Sequence, residues 1–129
     1  EVESELMPGG SKVFDLLVAF QKVIKAKEFP EEYEVKITTL SVSDRLESIL
    51  KILNESRTIT FESMFTLINT KQEVIVSFLA LLELIRLKLV RVEQTDHLET
   101  LRLYLDSEIK DQQEAIRLYR EFEDADSEI

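Results

Sequence analysis

Apolar positions recur with helical spacing over most of this chain, and the interruptions mark out its elements. Val13, Leu16, Leu17, Phe20, Val23 and Ile24 follow i, i+3, i+4, i+7, which predicts an amphipathic helix over 11–29, capped by Ser11 and stopped by Pro30. Residues 1–10 end in Pro8-Gly9-Gly10 and are expected to form a flexible lead-in. Residues 30–40, in which Val35 and Ile37 alternate, read as a linker or short strand. A second helix starts at Ser41, with Asp44 in capping-box spacing, and carries Leu46, Ile49, Leu50 and Leu53 on one face to about Asn54. Thr58-Ile59-Thr60 is a short β-prone run. Thr60 then caps a short helix over 61–68 whose apolar set is Phe61, Met64, Phe65 and Ile68.

Residues 71–87 depart from this pattern. Thr70 and Glu73 have capping-box spacing, and from Val74 to Leu87 only Ser77, Glu83 and Arg86 are polar. The apolar side chains therefore cover nearly the whole circumference, and such a helix must be buried on more than one side. In a small domain one side faces the protein's own core, and the other is expected to face a partner. Val90 and Val92 then alternate with Arg91 and Glu93. After a polar loop over 95–99, Leu101, Leu103 and Leu105 alternate with Arg102 and Tyr104, which makes a hairpin. A last amphipathic segment, 106–122, carries Ile109, Ala115, Ile116, Tyr119 and Phe122, and residues 123–129 read as a solvated acidic tail. The order helix, short strand, helix, helix, hairpin over 41–105 predicts a mainly α fold with a small β-hairpin. It is a winged helix-turn-helix flanked by an N-terminal and a C-terminal helix, in which the hairpin closes the open edge of a helical tripod.

Composition narrows the function. The 129 residues are 44% hydrophobic, enough for a folded core. The net charge of −10 repels phosphates, which argues against nucleic acid and anionic membranes. No Cys is present, so disulfides and thiolate metal sites are excluded, which fits a reducing cytoplasm. No apolar run approaches the roughly 20 residues of a membrane span, and no signal peptide is evident. A chain that starts at Glu1 rather than Met is expected to be a fragment of a longer protein.

Three ordered segments, SVSDRLESILKIL (41–53), TFESMF (60–65) and FLALLELIRLKLVRVEQ (78–94), resemble the C-terminal half of the bacterial kleisins, the ScpA family, over roughly residues 11–105. The resemblance implies a subunit that bridges the two ATPase heads of an SMC dimer. In such a subunit the C-terminal winged helix docks on the cap of one head, an N-terminal helical domain grips the neck of the other, and a central segment binds dimeric ScpB. It further implies a cytoplasmic, nucleoid-associated role in chromosome condensation and segregation. Three features depart from the family pattern. Lys88 stands where the family usually has Gly, the N-terminal kleisin domain is missing from this chain, and the match weakens after Leu105.

With the resemblance included, Ile75, Phe78, Leu79, Leu82 and Arg86 are the candidate interface for the SMC head, because residues three and four apart share a helix face. The competing reading makes these side chains core, with the flanking helices covering the second face. Arg86, Lys88 and Arg91 cluster at the helix end, either to offset its dipole or to meet an acidic rim on a partner. His97, alone in the predicted wing loop, lacks fellow ligands for a metal, and the carboxylates over 123–128 lack the spacing of a calcium loop. There is no P-loop, GxGxxG or paired nucleophile and base, so neither catalysis nor a cofactor is expected. ATP hydrolysis would belong to the partner. A DNA-binding winged helix is the first alternative. Of the common base-reading side chains, however, the helix holds only Gln72 and Arg86, with one cation against two acids. A self-associating module is the second.

Overall fold

The computed structural model describes residues 8–29, 41–95 and 100–127. In chain order these form α1 (Pro8–Ala26), α2 (Val42–Ser56), β1 (Thr58–Thr60), a one-turn 3-10 helix η1 (Glu62–Phe65), α3 (Lys71–Arg86), β2 (Val90–Thr95), β3 (Thr100–Leu105) and α4 (Ile109–Ser127). The winged helix-turn-helix over 41–105 is thus present, with a helix on either side of it.

The predicted caps form. Ser41 Oγ accepts from the Asp44 amide at 3.1 Å and opens α2, and Thr70 Oγ1 accepts from the Glu73 amide at 3.1 Å and opens α3. Thr60 Oγ1 accepts from the Ser63 amide at 3.1 Å. The segment it opens is a tight 3-10 turn and not a helix to Ile68. Three residues per turn line up Phe61 and Met64, which both point into the core.

Helix α1 starts at Pro8, earlier than the expected cap at Ser11, so Pro8-Gly9-Gly10 belongs to the helix. Proline suits a first helical position because its missing N–H is one that an opening turn leaves unbonded. The helix ends at Ala26, short of Pro30. The linker or strand expected over 30–40 lies outside the described residues.

The sheet has the order β1-β3-β2 and is antiparallel throughout. Register pairs Val90 with Leu105, Val92 with Leu103 and Ile59 with Leu103, so the alternating apolar positions of the hairpin all face the core. On the outer face Arg91 lies over the Tyr104 ring at 4.7 Å. The core joins Leu46, Ile49, Leu50 and Leu53 of α2 to Phe61 and Phe65, to Val74, Leu81 and Leu84 of α3, and to the hairpin. Full burial of each such side chain contributes roughly 1.5–3 kcal/mol.

Helix α4 continues to Ser127, so most of the expected acidic tail is helical. The carboxylate of Glu123 explains the extension. It accepts from the Ser43 amide at 3.1 Å and from Ser43 Oγ at 2.7 Å, and so supplies the first turn of α2 with an acceptor from 80 positions away. Arg120 bonds Asp44 and Glu47 at 3.1 and 2.7 Å, and buried Gln112 exchanges hydrogen bonds with Asn54. Polar contacts thus tie α4 to α2 along its length.

Candidate partner-binding surface

The near-uniform apolarity of α3 resolves into three sectors. Val74, Ala80, Leu81 and Leu84 face the winged-helix core. A second sector is covered by α1, where Phe20 stacks on Phe78 with ring centroids 4.1 Å apart and planes 11° from parallel. Phe78 also meets Phe61 edge-on at 6.2 Å, and Phe20 reaches Phe65 at 5.9 Å. The third sector is open to solvent.

The five candidate residues therefore separate. Ile75 and Leu79, one turn apart, are 39% and 50% exposed and form an apolar stripe on the surface. Leu82 is half-buried against the core, and Arg86 is exposed one turn further along the same face. Phe78 is 4% exposed and leaves the set as a surface residue. A rotation of about 100° per residue moves it from the open sector to the α1 contact, which only a packed α1 could reveal. The flanking helix thus covers part of the second face and leaves the rest bare.

Arg86 is held in place. Its Nε donates to Glu83 Oε2 at 2.8 Å and its guanidinium forms a salt bridge with the same carboxylate. The Arg86 hydrogen bond, followed by one from Tyr119, holds the Glu83 carboxyl below its ordinary range against the opposing effect of burial. Desolvation and the same contact raise the Tyr119 phenol. The helix ends in a Schellman motif, in which Lys88 takes φ 65°, its amide donates to Ile85 O at 3.0 Å, and the Leu89 amide donates to Leu84 O at 3.0 Å. Lys88 occupies the left-handed position where a glycine was expected to be more comfortable.

The expected basic cluster is dispersed by its partners, since Arg86 pairs with Glu83 and Arg91 with Glu93. His97 lies outside the described residues. Among the described residues no group of His, Cys, Asp or Glu is placed to hold a metal ion, and no helix is long and apolar enough to cross a membrane. Tyr119 was expected on the apolar face of the last segment, whereas the locking roles of Gln112 and Glu123 were not foreseen. Glu123 sat in a run of acids with nothing to mark it, whereas Gln112 falls between the apolar positions Ile109, Ala115 and Ile116 and could have been suspected as inward-facing.

The family model described as segregation and condensation protein ScpA matches residues 1–105. A segregation and condensation protein A of Listeria welshimeri is 40% identical over 86 residues, which is 64% of this chain and 34% of that protein. One from Listeria monocytogenes is 38% identical over 86 residues, again 64% of this chain and 34% of the relative. One from Bacillus velezensis is 34% identical over 88 residues, covering 66% and 35%. This chain thus spans about a third of the length of the curated relatives it matches. No solved structure matches. The winged helix, the three ordered sequence segments and a family match that runs to Leu105 lead to one conclusion: the chain belongs to the ScpA family of segregation and condensation proteins.

Proposed function

We propose that this chain is the C-terminal part of a non-catalytic kleisin and that its winged helix docks on the head of an SMC ATPase, in chromosome condensation and segregation. The docking surface in this reading is the open sector of α3, with Ile75 and Leu79 as apolar anchors, Leu82 at their edge and Arg86 as the polar end. The observation that carries it is the exposure of Ile75 and Leu79 on a helix whose remaining apolar side chains are buried or half-buried. The whole protein would engage dimeric ScpB through a segment outside the winged helix and would act in the cytoplasm on the nucleoid.

The DNA-binding reading is weaker on the same surface. Ile75 and Leu79 offer no hydrogen bonds to base edges, and Arg86 is already engaged by Glu83. Duplex binding with a steep negative salt slope would restore that reading.

The test is titration of this chain against an isolated SMC head domain. Leu79→Arg and Ile75→Arg are each expected to weaken binding by about tenfold or more, as loss of an interface anchor does, with the circular dichroism of the chain unchanged. Normal binding by both folded variants would move the interface elsewhere.

A further inference from the structure

A second unpartnered surface lies on α4, the element beyond the family match. Leu87 and Leu89, just past the end of α3, form one wall of an open groove of about 550 Å³, and Ala115, Leu118 and Phe122 form the other. Leu118 and Phe122, one turn apart, are 50% and 75% exposed although the opposite face of their helix is bonded closely to α2. The rim carries Asp111 and Glu114. Among the described residues Asp111 makes no ion pair, and Glu114 pairs only with exposed Arg117. Arg86 is the one basic side chain in the lining, and its charge is met by Glu83.

The geometry points to a docking groove for a basic amphipathic helix of another protein, whose apolar stripe would lie between Leu89 and Phe122 and whose flanking Lys or Arg side chains would face Asp111 and Glu114. The site borders the head-docking sector proposed above at Arg86, but its apolar walls are other residues and it does not depend on that reading. Charge selects the occupant. A second copy would bring another chain of net charge −10 against an acidic rim, and a nucleic acid or anionic lipid would meet the same repulsion. The exposed side chains select the form, because Leu118 and Phe122 stand one turn apart along α4 across the groove from Leu89, a spacing that matches the i, i+4 stripe of an amphipathic helix.

The experiment uses the whole chain and two labelled synthetic peptides of about 18 residues, five helical turns. Both have leucines at i, i+3, i+4 and i+7, and the remaining positions are Lys in one and Glu in the other. Fluorescence anisotropy is expected to show binding of the Lys peptide and not of the Glu peptide. The double variant Leu118→Glu/Phe122→Glu, at exposed sites and checked by circular dichroism, is expected to bind about tenfold more weakly or worse. Asp111→Asn/Glu114→Gln is expected to weaken binding and reduce its salt dependence, whereas Leu79→Arg leaves it unchanged. Equal binding of both peptides would overturn the proposal, as would undiminished binding by the Leu118/Phe122 variant. So would sedimentation showing that the chain dimerises through these residues.

Discussion

At the scale of the residue, Ser77 and Lys88 each carry a cost. Ser77 is buried in α3 and its hydroxyl has no hydrogen-bond partner among the described residues. An unsatisfied buried hydroxyl costs about 1–3 kcal/mol, so Ser77→Ala is expected to stabilise the domain by about 1 kcal/mol, read as a rise in the denaturation midpoint at unchanged slope. Lys88 holds φ 65° because the Schellman turn demands it and not because lysine favours it. Lys88→Gly should therefore raise stability by up to about 1 kcal/mol, the gain from the relaxed turn being partly offset by a freer unfolded chain. A lower midpoint in thermal unfolding would show that the lysine makes a compensating contact.

At the scale of the element, α4 is less a tail than a clamp. Ala115, Ile116 and Tyr119 pack on the core, and its position rests further on Gln112 with Asn54, Arg120 with Asp44 and Glu47, and Glu123 with Ser43. The exposed Arg120 pairs contribute little, since surface ion pairs are typically worth under about 1 kcal/mol. Glu123 matters more, because it takes two hydrogen bonds at the junction of α4 with the first turn of α2. Glu83, paired with Arg86 inside α3, gives the fold a pH dependence. Its folded-state pKa lies below the ordinary value of 4.5, so its stabilisation is complete above that pH and is lost as the pH falls through the lower folded value. Glu83→Gln is therefore expected to flatten the acid limb of a stability-versus-pH curve below about pH 4.5 while changing its neutral plateau less. An acid limb of unaltered steepness would assign the loss to other carboxylates, with Asp44 next in order. The hydrogen bond with Ser41 and then the contact with Arg120 lower its pKa too.

At the scale of the whole molecule, α1, α3 and the Phe61–Phe65 turn meet through four aromatic rings, in which Phe78 packs against Phe20 and Phe61. Phe78→Arg would bury a charge with no partner where a ring now stacks, and it is expected to cost about 4 kcal/mol or more and to unfold much of the population. Loss of partner binding by that variant would thus report collapse of the core, and a sigmoidal melt at the parent temperature would overturn its placement. The same packing divides the roles on one helix, with Phe78 as structure and Leu79 as surface.

The sequence by itself determined the elements and their order. Ser41 and Thr70 marked helix starts through local side-chain to backbone bonds, and the two-residue alternation of Val90, Val92, Leu101, Leu103 and Leu105 marked the hairpin and its inward face. Those signals are short-range, and so is the three-segment pattern that carried the family resemblance. The sequence also posed the central question, since a helix apolar all round needs more than one cover. The tertiary structure alone decided which residue each cover takes. Whether Phe78 or Leu79 is bare depends on where α1 lies against α3, and whether an acid in a run of acids is solvent-facing or a cap depends on a contact 80 positions away. Spacing along a chain fixes which side chains share a face, but what stands opposite that face is set by the packing of distant elements.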